Sequence, residues 1–216
     1  VPGLLPRRVT CEVGSALVSN RTAVLRTDAV LNRIRSRPSP VGVEVGVFQG
    51  RMSAVLLRGH PGLRLYMVDN WLPMTAQPVA YVASKDYHAR LDESRQYGNK
   101  TQALKVVQRY RGRAILLHQT SVQAAMGFED GQCDFVFLDA DHSYEGVKAD
   151  LEAWWPKVAF GGWLCGHDYY NAEQEARSRG AGQCFGVRVA VDEAAVSMGW
   201  AVQKDADGTW FVQKEE

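Results

Sequence analysis

The stretch Cys133-Asp-Phe-Val-Phe-Leu-Asp-Ala-Asp-His142 decides the fold. After Asp134 it is apolar without interruption to Leu138, and then it turns abruptly polar. A short run that is apolar on both faces suits a strand covered on both sides, in the middle of a parallel sheet flanked by helices. Polar residues at the carboxyl end of such a strand stand where open α/β sheets bind their ligands.

Outward from this strand, short apolar runs alternate with longer amphipathic ones, the pattern of an α/β chain with a mostly parallel sheet. Val41-Gly-Val-Glu-Val-Gly46, introduced by Pro38-Ser-Pro40, is the first strand, and a helix from Arg51 to Arg58 follows, ending near Gly59 and Pro61. Leu63 to Val68 forms the second strand and stops at Asp69, Arg113 to His118 the third, and Gly161 to Gly166 the fifth. Between the second and third, Ser84 to Arg111 is polar with apolar residues at loosely helical spacing, and Gly98 and Asn99 are predicted to break it. Helices are predicted from Ser143 to Trp155, where Pro156 stops the chain, and from Val187 to Met198. The tail predicts a β-hairpin: Trp200 to Lys204, the turn Asp205-Ala-Asp-Gly208, and Thr209 to Gln213. Together these give a doubly wound seven-stranded sheet, parallel except for one strand of the C-terminal hairpin. Residues 38–216 form one domain preceded by a helical segment over residues 1–37.

Composition narrows the function. A chain of 216 residues fits one domain, and 46% hydrophobic with 23% charged residues excludes a disordered or fibrous class. The net charge of +1 supplies no field that would favour nucleic acid or an anionic membrane. No apolar run approaches the roughly 20 residues needed to cross a bilayer. The four cysteines show no CxxC spacing, and Cys133 and Cys165 lie in apolar runs as buried reduced thiols, which favours a cytoplasmic setting. No nucleic-acid or membrane partner is therefore expected; homo-oligomer formation stays open.

The chemistry-bearing residues fall after the strands. Glu44-Val-Gly-Val-Phe-Gln-Gly50 brings glycines that allow a sharp turn and close ligand approach, and the next helix offers free N–H groups to an anion. The glycines Gly46 and Gly50 are not spaced as a dinucleotide GxGxxG, which argues against a nicotinamide-dependent dehydrogenase. Asp69 can accept both hydroxyls of a ribose. Gln119-Thr-Ser121 offers small polar groups to a base edge, or a helix cap. Asp139, Asp141 and His142 after the fourth strand meet His167 and Asp168 after the fifth. Carboxylates so concentrated repel one another unless compensated, and a divalent cation would do so. Mg²⁺ suits the acids, while a histidine ligand shifts preference towards Mn²⁺, Fe²⁺ or Zn²⁺.

The order Glu44-x-Gly-x-x-x-Gly50, Asp69, Ser121, Phe137-Leu-Asp-Ala-Asp-His142 and Gly161-Gly-x-x-x-x-His-Asp168 resembles the class I S-adenosylmethionine-dependent methyltransferases. Within them, Phe137 to Tyr169 is similar to the subgroup related to macrocin O-methyltransferases and, more distantly, to catechol O-methyltransferases. The resemblance implies a Rossmann-like fold and S-adenosylmethionine as cofactor. It implies that Gly46 and Gly50 hold the methionine part, that Asp69 binds the ribose, that Glu44 shapes the loop, and that Ser121 lies near the adenine. It assigns Asp139, beside the cofactor, and Asp168 to a metal, commonly Mg²⁺. His167 stands where relatives commonly carry Asp, so it is either a third ligand or a substrate-facing group. The implied reaction is O-methylation of a small hydroxylated molecule, with His142 favoured as base and Asp141 as its rival. Residues Tyr170 to Phe185 are expected to cover the substrate and Trp71 to Tyr81 to form the opposite wall. Trp154 and Trp155 are expected in the core. A catalytically idle cofactor-binding or scaffold domain is the alternative.

Overall fold

In the computed structural model, described over residues 26–170, 185–205 and 207–215, the chain alternates strand and helix about one sheet. A helix over residues 26–34 (α1) precedes β1 (Val41–Val45), α2 (Arg51–Gly59) and β2 (Arg64–Asp69). After α3 (Val79–Ala83) and α4 (Glu93–Arg109) come β3 (Ala114–His118), α5 (Ser121–Ala125) and β4 (Cys133–Leu138). The order closes with α6 (Tyr144–Trp154), β5 (Val158–Gly166), α7 (Val187–Met198), β6 (Gln203–Lys204) and β7 (Trp210–Gln213).

The seven strands lie in the order β3-β2-β1-β4-β5-β7-β6. β1 to β5 are mutually parallel, and β7 runs antiparallel to both of its neighbours, as expected from the hairpin. The chain winds from β1 outward through β2 to β3, then returns to β4 on the other side of β1. That reversal opens a crevice between the carboxyl ends of β1 and β4, where Val45 pairs with Leu138.

Alternation along β4 builds both cores. Phe135 and Phe137 pack with Leu56, Leu57, Leu65 and Met67 on one face, and Val136 and Leu138 pack with Leu151, Trp154 and Val191 on the other. Each buried phenylalanine contributes roughly 1.5–3 kcal/mol. α1 joins the first core through Val30 and Ile34, and its Arg33 guanidinium lies 3.4 Å from the Phe211 ring centroid. Trp154 is fully buried, as expected of a core residue.

Two elements depart from the expected pattern. α4 runs unbroken through Gly98 and Asn99, starting at Asp92, whose carboxylate caps Arg95 N. Asn99 is tied by its side chain to Gln96 and Gln49, at 3.2 and 3.0 Å, so it is not free to end the helix. Gly98 costs such a helix only about 1 kcal/mol, which the rest of α4 outweighs. β5 begins at Val158 rather than Gly161, and its register against β4 shifts between Cys133 and Phe135. The expected substrate cover, Tyr170 to Phe185, lies outside the described residues over 171–184, as do residues 1–25 of the N-terminal segment.

Candidate active site

The carboxyl ends of β1 to β5 open into one cavity of about 820 Å³. Its size falls within the range of small-molecule sites.

The loop after β1 forms its floor. Gly46 has φ +91°, and a Cβ there would lie 1.9 Å from the Asp139 carbonyl oxygen, so β1 and β4 approach this closely only with glycine present. Gly50, at φ +75°, starts α2 and supplies no side-chain cap. The first amides of α2 are thus left for a ligand anion at the cavity, which Arg51 and Met52 line. Beneath the loop, Ser53 Oγ donates to Glu44 Oε2 at 2.5 Å, and burial pushes the Glu44 carboxyl up to about 8.

Asp69, at the end of β2, staples the two neighbouring loops together. Its Oδ2 accepts from Phe48 N at 2.8 Å and its Oδ1 from Trp71 N at 2.9 Å, while Trp71 Nε1 donates to Phe48 O at 2.9 Å. Phe48 and Trp71 both have positive φ, 53° and 42°, a strain that clusters at functional sites. Each carboxylate oxygen keeps a second lone pair for a ligand. Leu72, Gln77 and Tyr81 continue the wall from this side.

After β3, Thr120 caps α5 in a capping box with Gln123, so the cap falls one residue before Ser121. Ser121 lines the cavity, and its Oγ accepts from Trp154 Nε1 at 2.9 Å.

The ends of β4 and β5 carry the charged cluster. His142 is buried, and its ring stacks on Phe185 with centroids 4.6 Å apart and planes 8° from parallel. Its Nδ1 lies 2.6 Å from Asp86 Oδ2, and its Nε2 lies 3.0 Å from Asp168 Oδ2 and 3.2 Å from Asp139 Oδ1. Burial alone disfavours the imidazolium, but Asp168, Asp139 and Asp86 outweigh it and hold the His142 pKa well above the usual histidine value. Against the opposing effect of burial, His167 and His142 depress Asp168, and Arg26 and His142 depress Asp139. Arg26 Nη1, from α1, meets Asp139 Oδ2 at 2.5 Å.

Asp139, His142 and Asp168 each present a donor atom within 4.8 Å of the others, two carboxylates and one imidazole. His167 stands outside this group: its Nδ1 bonds Asp168 Oδ1 at 2.6 Å, and its Nε2 is buried without a hydrogen-bond partner. Of the residues expected at a metal, Asp139 and Asp168 fall in this group together with His142, and His167 adjoins it through Asp168. Asp141 turns aside from the cluster, its Oδ1 accepting from Ser143 N at 2.8 Å.

Two contributors escaped the sequence reading. Asp86 lies in the polar stretch between β2 and α4, is 3% exposed, and also holds His88 through its backbone N at 2.8 Å. Neither its spacing nor its neighbours mark it. Arg26 sits on a helix far from every strand end in sequence, and only the packing of α1 brings it to Asp139.

A family profile described as a methyltransferase domain matches residues 43–169, more than half of the chain. No curated protein matches. Among solved structures, the chain is similar to the calicheamicin methyltransferase CalS11 at 17% identity and a TM-score of 0.61, covering 94% of this chain and 86% of that one. It is similar to the O-methyltransferase NovP at 16% identity and a TM-score of 0.59, covering 90% and 80%. The N-methyltransferase NodS from Bradyrhizobium japonicum WM9 matches at 14% identity and a TM-score of 0.54, covering 91% and 98%. At these identities the likeness establishes the fold, and O- and N-methylating relatives share it.

Proposed function

The chain belongs to the methyltransferase-domain family and uses S-adenosylmethionine, and from that premise we propose that it methylates a hydroxyl oxygen of a small molecule. The observation that carries this reading is the union, in one cavity, of the Gly46 loop, Asp69 and the carboxylate–histidine cluster. The first two suit the cofactor, and the third suits an acceptor oxygen that must lose a proton.

The donor set fits a divalent cation once His142 gives up its Nε2 proton, which the cation would displace. Asp139, His142 and Asp168 would hold it, with the imidazole inclining the site towards Mn²⁺, Fe²⁺ or Zn²⁺ beside Mg²⁺. When bound, such a cation lowers the pKa of an acceptor hydroxyl and fixes its direction.

The remaining work falls to the chain itself. The α2 amides and Asp69 orient the cofactor so that its methyl faces the acceptor, which makes the displacement effectively unimolecular. The acceptor oxygen forms the new bond to the methyl carbon, the carbon–sulfur bond breaks with its electron pair passing to sulfur, and S-adenosylhomocysteine leaves. Between the two bases considered from sequence, Asp141 is the one we assign to take the hydroxyl proton. His142 has both ring nitrogens engaged by carboxylates, whereas Asp141 lines the cavity with one oxygen held by Ser143. The two buried thiols, Cys133 and Cys165, suit a reducing, cytoplasmic setting.

Calorimetric titration with S-adenosylmethionine, followed by a panel of hydroxylated acceptors with and without divalent metals, tests the reading. Binding that weakens in Asp69→Ala, together with methylation of at least one hydroxyl acceptor, supports it. Cofactor binding with turnover only on amines would overturn the O-methylation assignment.

A further inference from the structure

Asp150 is a buried acid that none of the chemistry above uses. It sits on α6, is 5% exposed, and lines the cavity beside Ala149 and Ser121. The Ser121 hydroxyl hydrogen-bonds its carboxyl, and Ser121 Oγ accepts from Trp154 Nε1 at 2.9 Å. An indole N–H can only donate, so Trp154 gives to Ser121, whose hydroxyl proton stays available to the Asp150 carboxyl. The carboxyl thus receives one internal donor where it has room for about four. No Lys or Arg forms an ion pair with it among the described residues, and burial pushes it up to about 7. Burying so thinly partnered an acid is costly. A ligand that brings its own donor to this wall of the cavity would offset that cost.

The sheet register says which part of the ligand arrives there. Asp69 pairs with His118 across β2 and β3, so the end of β3 lies beside the ribose-binding acid, and Ser121 follows three residues later. The group attached to the ribose on that side is the adenine, whose 6-amino group is a hydrogen-bond donor. We propose that Asp150, oriented by Ser121, accepts the exocyclic amino group of adenine and makes the site select a 6-amino over a 6-oxo purine. The proposal rests on the S-adenosylmethionine reading of the cavity. Above about pH 7, where the carboxylate is ionised, its oxygen meets an N–H in the first case and a repelling carbonyl oxygen in the second. Its position on α6 separates Asp150 from the strand-end motifs, which is why the sequence does not announce it.

The test is calorimetry on the full chain at about pH 8.5, where Asp150 is ionised, with S-adenosylhomocysteine and with S-inosylhomocysteine, which carries oxygen in place of the 6-amino group. The wild type is expected to favour the adenine form by at least about tenfold, the worth of one hydrogen bond to a charged partner. Asp150→Leu, similar in volume and incapable of hydrogen bonding, should weaken S-adenosylhomocysteine by about tenfold and bring the two ligands within roughly threefold of each other. Asp150→Asn, whose amide can donate to a 6-oxo group, should also narrow the ratio, and it serves if the leucine variant melts at a much lower temperature. A merely structural Asp150 would lower stability without moving the ratio. A wild type that binds both ligands equally, or folded variants that keep the full preference, overturns the proposal alone. A wild type that binds neither overturns the cofactor reading with it.

Discussion

Asp86 Oδ2 and His142 Nδ1 lie 2.6 Å apart, both side chains are buried, and they come from the stretch between α3 and α4 and from the loop after β4. This contact orients the imidazole: with Nδ1 directed at Asp86, Nε2 has one direction left, towards Asp139 and Asp168. A carboxylate fixing the far nitrogen of a histidine is the arrangement that orients metal-ligating imidazoles in general. Asp86 itself is held by the turn around it, its backbone N–H donating to Ser84 Oγ at 3.3 Å.

Asp86→Ala should therefore leave a buried cation with one partner fewer. Because Asp139 and Asp168 still compensate the charge, the cost is that of an unsatisfied buried donor, about 1–3 kcal/mol, and urea denaturation of the variant should lie in that range. Nitrogen NMR of histidine-labelled protein should show His142 losing its fixed Nδ1 hydrogen bond. A stability change under about 1 kcal/mol would mean that the contact is not maintained in solution.

Metal binding separates the two histidines. Manganese titration followed by paramagnetic resonance should give binding that is lost in Asp139→Asn, Asp168→Asn and His142→Ala. His167→Gln should retain it, because His167 reaches the cluster only through Asp168. The reverse order for the two histidines would restore His167 as the ligand.

Arg26 competes for the same carboxylate. Its Nη1 occupies Asp139 Oδ2, and the positive charge of a bound cation would be repelled by it. Arg26→Ala should accordingly tighten manganese binding by about tenfold, the order expected of one nearby like charge at partial burial. Weaker binding in the variant would show that Arg26 supports the site instead of opposing the cation.

The sheet was legible because strand signals are local. Phe135 to Leu138 reads as a doubly covered strand from its own apolarity, and Gly46 reads as a sharp turn from its place after β1; φ +91° bears the turn out, and the close neighbour there is the Asp139 carbonyl. Asp86, Arg26 and Asp150 were not legible as site residues, because the helices expected over residues 1–37 and Ser143–Trp155, and the polar stretch that holds Asp86, carry no signal of which side chain meets the cavity. The break placed at Gly98 and Asn99 failed for a related reason: the side-chain bonds that hold Asn99 come from Gln49, far away in sequence, and from a neighbouring turn.

Glu44 should make stability fall as pH rises. Its folded pKa is raised to about 8, from an ordinary 4.5, because burial disfavours the charged form. Between those values the folded state holds a proton that the unfolded state has released, so unfolding free energy declines with each step of pH upward through that window. The loss amounts to a few kcal/mol by pH 8 and is absent below the unfolded pKa. Glu44→Gln keeps a hydrogen-bond partner for Ser53 and removes the titration, so its stability between pH 5 and 8 should be flatter and should exceed wild type at the upper end. Urea denaturation of both proteins at intervals across this range measures it. Parallel curves would place the carboxylate in an environment that solvates its charge, and the loop after β1 would then be open to water at its base.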